Sequence, residues 1–194
     1  MGSPTNMASV SFLSSSALRM AEEKLSLSMD GECVITVHRR LDDELKRVIM
    51  AIDHEKFREE LQYDGAEIDE RSSTKGFLLL LLHLDGRPVG FDYGYDDEEE
   101  GAFFSDSSAT LIERKGVGST LFALEIIHCY WLGYRTSKLV TEERDEQGRP
   151  LREIWGKFGF TVAEKNPRTG IEMMLTLTPE AVDRVYRRYI AAER

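Results

Sequence analysis

A short glycine turn between a predicted strand and a predicted helix constrains this chain most. An apolar run ends at Ile112, and Gly116-Val-Gly118 then opens an amphipathic run that reaches Leu132. Glycine allows the backbone to approach a ligand closely, and the first N–H groups of a helix have no internal partners. Together with the helix dipole they predict an anion site suited to a pyrophosphate, with Arg114 and Lys115 adding positive charge beside it.

The glycine spacing by itself also suits a connection whose glycines only make the turn. It is not a Walker A loop, because no Lys-Ser/Thr pair follows the second glycine at that spacing. It is not a dinucleotide fingerprint either, because Leu121 stands where that motif needs a third glycine.

A second motif follows about forty residues downstream, at Trp155–Phe160. Together the two segments resemble the GNAT superfamily of N-acyltransferases, which use acetyl-CoA or another acyl-CoA. Glu113–Gly118 matches that family's pyrophosphate loop, Gln/Arg-x-x-Gly-x-Gly/Ala, and Trp155–Phe160 matches a Tyr-x-x-x-Gly-Phe-like signature. The likeness runs in order from about Glu32 to Leu177, with two departures: Glu113 at the Gln/Arg position, and Trp155 where the family often has tyrosine.

The resemblance implies an α/β (α+β) fold with a mixed, mostly antiparallel central sheet and helices on both faces. It implies that the sheet splays between its fourth and fifth strands, predicted at Ala102–Ile112 and Lys138–Glu142. Residues 1–30 are predicted to be a tag remnant, ending at Asn6, and a leader. The leader is predicted to be disordered or weakly helical, with a transit-peptide-like targeting segment as the alternative. Residues 31–194 are predicted to form a single N-acyltransferase-like domain.

Composition argues against several classes of protein, among them nucleic-acid binders and membrane-spanning proteins. The 194 residues carry a formal net charge of −10, which argues against a general nucleic-acid or anionic-membrane binder. The longest apolar run, Phe77–Leu82, is too short to cross a bilayer. Cys33 and Cys129 lie far apart without metal-ligand spacing, so no metal is predicted and a reducing cytoplasm is the simplest setting.

Two connecting segments are predicted to lack regular structure. Tyr63–Thr74 is polar and is predicted to be a linker bordering the acceptor side. The acidic stretch Asp96–Glu100 is predicted to be either a solvated hairpin tip or a loop that steers a cationic substrate electrostatically.

In the resemblance, the pantetheine arm of acyl-CoA inserts between the splayed strands and hydrogen-bonds the backbone near Thr110–Ile112. The indole of Trp155 would then wall the pantetheine channel, since indole N–H cannot deliver a proton at neutral pH. The predicted cofactor-binding residues are Thr110, Leu111, Ile112, Arg114, Lys115, Gly116, Val117, Gly118, Ser119 and Trp155.

Acyl transfer to an amine also needs a group that removes a proton. Asp106 lies mid-strand, and alternation places it on one face with Phe104 and Ser108. Asp92 and Glu142 are rival carboxylates, predicted to lie near the same cleft mouth. For a general acid near the sulfur, Tyr134 is the predicted substitute for the missing tyrosine, with Tyr130 as its rival.

The resulting prediction is an acyl-CoA-dependent N-acetyltransferase that acts on a primary amine of a small molecule, peptide or protein. The alternative is a non-catalytic module of the same fold that binds acyl-CoA or a partner. A cationic amine would suit the acidic composition. An exposed last strand and an amphipathic terminal helix would allow a homodimer.

Overall fold

A seven-stranded sheet forms the centre of the protein. The computed structural model describes residues 7–145, 148–168 and 170–191. The strands are β1 (Cys33–His38), β2 (Leu78–Leu84), β3 (Arg87–Asp96), β4 (Ala102–Thr110), β5 (Thr136–Thr141), β6 (Thr161–Asn166) and β7 (Gly170–Thr176). Their spatial order is β1-β2-β3-β4-β5-β7-β6, and every neighbouring pair is antiparallel except β4–β5, which is parallel. This is the mixed, mostly antiparallel sheet that was predicted.

Helices cover both faces of the sheet. They are α1 (Met7–Met29), α2 (Asp43–Lys56), α3 (Gly65–Ser73), α4 (Val117–Leu132), α5 (Leu151–Gly156) and α6 (Pro179–Tyr189), and a 3₁₀ turn covers Glu59–Leu61. One buried cluster joins α1, α4 and α6 to the first face of the sheet. A second cluster joins α2 and α3 to the other face, around Phe91 and Tyr93 of β3.

The parallel pair is short, and the sheet opens beyond it. Ala102, Phe103 and Phe104 of β4 pair with the first three residues of β5, and neither strand pairs with the other beyond them. β5 is instead held along its whole length by β7. The strands therefore splay where the resemblance implied, and a gap opens toward their carboxyl ends.

A β-bulge at Asp106 changes which face the β4 side chains take. Ser105 pairs with Gly94 and Ser107 with Tyr93, so Asp106 is the extra residue on β4. Simple alternation had placed Asp106 on one face with Phe104 and Ser108. Asp106 lies on the α2–α3 face, where Phe104 also packs against Tyr95, but Ser108 turns toward the other face. The alternation argument was wrong for Ser108 because the bulge shifts the register.

The segment predicted as a polar linker contains a helix. Asp64 caps α3 by accepting from the N–H groups of Ala66 and Glu67, and the Glu67 side chain accepts from the Asp64 N–H. This reciprocal capping box stabilises a helix start even in a polar sequence. Ile68 is buried and anchors α3 to the second cluster, so the expectation of an unstructured linker was wrong.

The predicted leader also differs from expectation. α1 packs Ala17, Ala21 and Leu25 into the first cluster, each exposed by 2% or less. The Glu22 side chain accepts a hydrogen bond from the Ile35 N–H at 2.8 Å, which ties α1 to β1. The C-terminal half of this segment is therefore part of the packed fold. The predicted tag remnant, residues 1–6, lies outside the described residues.

Candidate active site

A cleft of about 800 Å³ occupies the gap between β4 and β5. Its β4 wall carries Ser105, Asp106 and Ser108, and its β5 wall carries Val140 and Thr141. Further walls come from the segment after α2 and from α5. Because the two strands diverge here, the cleft reaches side chains from both faces of the sheet.

The glycine turn lies where β4 leads into α4. Gly116 caps the helix with φ of 80°, and its carbonyl accepts the first helical hydrogen bond, from Thr120 N–H at 2.9 Å. A Cβ added at Gly116 or at Gly118 would meet no atom within 4 Å, so open space lies outside the turn. The N–H groups of the first helical turn have no intrahelical acceptor. Open space over exposed donors fits an anionic group such as a pyrophosphate.

Two charged neighbours of the turn are engaged elsewhere. The Lys115 Nζ donates to the Ser28 carbonyl of α1 at 3.0 Å, and so points away from the space outside the turn. Glu113 forms an ion pair with Lys56 at 2.9 Å, linking the turn to the end of α2. The departure at Glu113 therefore has a structural partner. Arg114 is exposed and adopts a left-handed φ of 59°.

Asp106 is the most deeply placed carboxylate that lines the cleft on the α2–α3 face. Its side chain is 8% exposed and pairs with the Arg71 guanidinium, Nε to Oδ2, at 2.9 Å. Tyr63 donates to the same carboxylate at 3.5 Å, and the Arg71 guanidinium stacks over the Tyr63 ring at 3.9 Å. Burial raises the pKa of Asp106, while the Arg71 charge opposes that rise.

Solved structures share the fold of this chain. The chain resembles an aminoglycoside 6'-acetyltransferase type Ii at TM-score 0.63 and 19% identity, covering 75% of this chain and 98% of that one. It resembles the ribosomal-protein-S18-alanine N-acetyltransferase of Escherichia coli at TM-score 0.60 and 14% identity, covering 75% and 95%. It also resembles the PaiA N-acetyltransferase of Thermoplasma acidophilum, solved with coenzyme A, at TM-score 0.58 and 16% identity, covering 73% and 98%. The chain has the GNAT fold.

No family model matches the sequence, and the comparison with curated proteins gave no match either. The likeness is therefore carried by the three-dimensional arrangement. In the GNAT fold of this chain, the splayed strands and the glycine turn are the features that the two sequence motifs predicted.

The remaining predicted cofactor residues lie along the path from turn to cleft. The N–H of Leu111 donates to Val89 at 2.8 Å and that of Ile112 to the Thr110 hydroxyl at 3.1 Å, so both are already bonded within the protein. Val117 is buried beneath the turn, and Ser119 lies in the first turn of α4. The cleft lining does not include Thr110–Ser119, but it includes Lys56, whose ion pair with Glu113 links the turn to the cleft.

Trp155 lies in the cleft wall. Its Nε1–H donates to the Thr141 hydroxyl at 3.0 Å, and its ring centroid lies 4.7 Å from that of Phe122. The indole thereby closes the side of the cleft nearest α5. Its only N–H is committed to the protein, which agrees with a wall rather than a proton donor.

The other two predicted catalytic residues, Glu142 and Tyr134, do not lie together with Asp106. Glu142 lines the cleft at the end of β5, where it is exposed and forms an ion pair with Arg58 at 3.6 Å. Tyr134 is absent from the cleft lining, and its hydroxyl donates to Asp96. Tyr134 therefore lies at the closed end of the strand pair and not beside the gap.

Two features of the site escaped the sequence analysis. Arg71 lies on α3, within the segment predicted to be a linker, and the pattern Asp64-x-x-Glu67 is the sequence signal for that helix. Asp92 was placed at the cleft mouth but is fully buried, at 0% exposure, so that placement was wrong. Its partner Glu125 stands alone among apolar residues of α4, a pattern that marks a buried carboxyl.

The acidic loop Asp96–Glu100 forms ion pairs within the fold and does not line the cleft. Asp97 and Glu99 pair with Lys138 at 3.0 and 2.8 Å, and Asp96 pairs with Lys75 at 3.4 Å. The loop joins β3 to the start of β4, at the paired end of the strands, whereas the gap opens at their carboxyl ends. This geometry favours the hairpin-tip interpretation over electrostatic steering.

Within the described residues, no group of three or more His, Cys, Asp and Glu side chains is placed to hold a metal ion. Both cysteines are buried and free. No helix of the described ranges is long and apolar enough to span a membrane.

Proposed function

We propose that the protein is an acyl-CoA-dependent N-acyltransferase that moves an acyl group, in the simplest case acetyl, to a primary amine. The observation that carries this proposal is the junction of two features: a gap between β4 and β5, and a helix that starts at an open glycine turn beside it. Structural neighbours with the same fold are N-acetyltransferases, and one of them was solved with coenzyme A.

The glycine turn would hold the pyrophosphate of the acyl donor. The space outside Gly116 and Gly118 is open, and the first N–H groups of α4 have no acceptor within the helix. The positive end of the helix dipole adds to their attraction for an anion. Arg114 is exposed beside the turn and is available to add charge. Acyl-CoA supplies an activated acyl carbon and a thiolate leaving group.

The cleft would position the amine. Asp106 accepts hydrogen bonds from the ammonium or amine, directly or through a water, while Arg71 and Tyr63 hold its carboxylate in place. Glu142, at the rim, offers a second carboxylate to a cationic acceptor. A thiol with an ordinary pKa of about 8.5 leaves without a general acid, so the position of Tyr134 away from the cleft is compatible with turnover.

The alternative is a non-catalytic acyl-CoA-binding module of the same fold. Trp155 at the tyrosine position and the engagement of Glu113 with Lys56 are the observations that favour it. A cytoplasmic setting, a homodimer and the lack of nucleic-acid binding stay predictions. The last strand, β7, is paired on both sides, by β5 and β6, so the prediction of an exposed last strand was wrong. The edge strand on that side is β6, which is the surface on which to look for a dimer.

The proposal is tested by calorimetric titration with CoA and acetyl-CoA, followed by a thiol-release assay with a panel of primary amines. Gly118→Val should weaken CoA binding at least tenfold, because its side chain fills the space outside the turn. It should leave the melting temperature nearly unchanged, since a Cβ there meets nothing within 4 Å. Gly118→Ala is the matched smaller variant and should show an intermediate loss of affinity.

The outcomes separate the two functions. Binding with thiol release supports the enzyme. Binding without release for any amine supports the binding module. If the parent protein binds neither CoA nor acetyl-CoA, both assignments are wrong.

A further inference from the structure

Two carboxyl groups face each other in the core, on the opposite face of the sheet from Asp106. Asp92 comes from β3 and Glu125 from the third turn of α4. Their exposures are 0% and 1%, so water does not reach them. They lie beneath the bulged part of β4, directly behind the wall of the cleft.

The pair has no compensating partner. Among the described residues, no backbone N–H group and no cationic side chain bonds any of its four carboxyl oxygens, and the polar groups beside them are each other and two serine hydroxyls. The groups that face the pair are Ser105 and Ser108 from β4 and Cys129 from the next turn of α4, with Asp106 acting from across the strand. No described cationic side chain acts on Asp92.

Two dry carboxyl groups in contact cannot both carry a charge, so the pair holds at least one proton at neutral pH. Burial raises the pKa of Asp92 to about 7. Burial and the neighbouring Asp92 charge raise the pKa of Glu125 well above its usual range. A group that exchanges a proton near the working pH is suited to acid–base work.

Two serines connect the pair to the cleft. Ser108 is the cross-strand partner of Asp92, and its hydroxyl donates to the Phe91 carbonyl at 3.3 Å, next to Asp92 in the chain. The Ser108 hydroxyl lowers the pKa of Asp92 and the Ser105 hydroxyl lowers that of Glu125, each against the larger effect of burial. Both serines also line the cleft. A hydroxyl both donates and accepts, so each can pass a proton between the cleft and the carboxyl behind it.

We propose that Asp92 and Glu125 take up the proton that the acceptor's ammonium releases, with Ser105 and Ser108 as the connecting hydroxyls. This inference rests on the proposed acyl transfer. The ammonium gives one proton through a serine to the pair and becomes a neutral amine. The C–N bond then forms as the C–S bond breaks, the second nitrogen proton leaves with the thiolate as free thiol, and the pair returns its proton to solvent.

Asp106 is less suited to keep that proton. Its carboxylate already pairs with Arg71 at 2.9 Å and accepts from Tyr63. A cation in contact stabilises the ionised form of a carboxylate. Asp106 therefore orients the amine, and the unpaired buried acids receive the proton.

The experiment is the pH profile of kcat/KM for thiol release, measured for the parent and for Asp92→Asn, Glu125→Gln and Asp106→Asn. In the parent the rate should rise with pH through an apparent pKa near neutral. Asp92→Asn should lower kcat at least tenfold and remove that limb, with the Kd for CoA within twofold of the parent. Both amides imitate a protonated carboxyl, so both variants should fold.

Serine variants supply a matched control. Ser108→Ala should lower kcat several-fold by breaking the connection. Ser137→Ala removes another buried, unpartnered hydroxyl, in the part of β5 that is paired with β4 and outside the relay, and should leave the profile unchanged. Infrared spectroscopy at neutral pH should show a protonated carboxyl band that Asp92→Asn or Glu125→Gln removes, which requires no turnover.

If Asp92→Asn and Glu125→Gln both turn over with the pH profile of the parent, this inference is wrong while the proposed function stands. The same holds if the rise of kcat/KM with pH is lost only in Asp106→Asn. Absence of the protonated carboxyl band would also overturn it. Absence of CoA binding in the parent would overturn the proposed function, and this inference with it.

Discussion

Arg71 and Asp106 join the predicted linker to the bulge of β4: Arg71 Nε lies 2.9 Å from Asp106 Oδ2, and the Asp106 side chain is only 8% exposed. Tyr63 packs against the same guanidinium, with 3.9 Å between the guanidinium carbon and the ring centroid. The α2–α3 segment is therefore fixed to the cleft wall by an ion pair that is largely shielded from water.

Removing the Arg71 charge should weaken amine binding and lower the stability of the fold. Arg71→Met leaves Asp106 buried without a cation, so the pKa of Asp106 should rise further, and the amine should bind less well at neutral pH. Loss of one partner of a partly buried pair should cost about 2 kcal/mol of unfolding free energy. KM for the amine should rise several-fold while the Kd for CoA, which binds at the turn, stays within twofold. An unchanged amine KM would contradict the role given to Asp106.

The buried acid pair should make stability depend on pH. Burial raises the folded pKa of Asp92 to about 7, and burial with the Asp92 charge raises that of Glu125 well above its usual range. The protonated pair therefore contributes its full stabilisation of the folded state below about pH 4, and this stabilisation is lost as pH rises toward 7 and above. Urea denaturation from pH 5 to 8 should show a falling unfolding free energy, by up to about 1.4 kcal/mol per pH unit for each proton.

Glu125→Gln should flatten that profile, because the neutral amide has no charge to bury at high pH. Glu164→Gln, on the exposed strand β6, is the matched control and should leave the profile as in the parent. If the parent and Glu125→Gln lose stability in parallel, the pair is not the source of the dependence.

The second half of α1 should behave as core. Leu25 is fully buried at 0% exposure, and Leu27 on the same helix is 68% exposed. Leu25→Ala should lower the unfolding free energy by about 3 kcal/mol through lost burial and a cavity. Leu27→Ala should change it by less than about 0.5 kcal/mol. Chemical denaturation measures both, and equal effects would show that α1 does not pack as described.

The acidic loop should affect stability and not substrate choice. Lys138 is 14% exposed and pairs with Asp97, whose side chain is 19% exposed. Asp97→Asn should cost about 1 kcal/mol of unfolding free energy, since the pair is partly shielded. Glu98→Gln at the exposed tip is the control and should cost almost nothing. A changed ratio of kcat/KM for diamines over monoamines in Asp97→Asn would restore the steering interpretation.

The sequence by itself determined the order of most elements and the place of the glycine turn. A strand was predicted at Ala102–Ile112, where β4 covers Ala102–Thr110, and the glycine turn opens α4 as predicted. These features depend on local periodicity, turn residues and caps. Since these act over a few residues, they can be predicted from a single sequence. α3 was not predicted, because its polar composition is typical of a linker, although the sequence contains its capping box.

Only the tertiary structure decided which side chains meet. One extra residue in β4 placed Asp106 on the face opposite Ser108, and no local pattern reports a bulge in a paired strand. Arg71 meets Asp106 across 35 positions of sequence, and Asp92 meets Glu125 because α4 packs on β3. Such contacts depend on strand register and helix packing, which are set by the whole core rather than by any one segment.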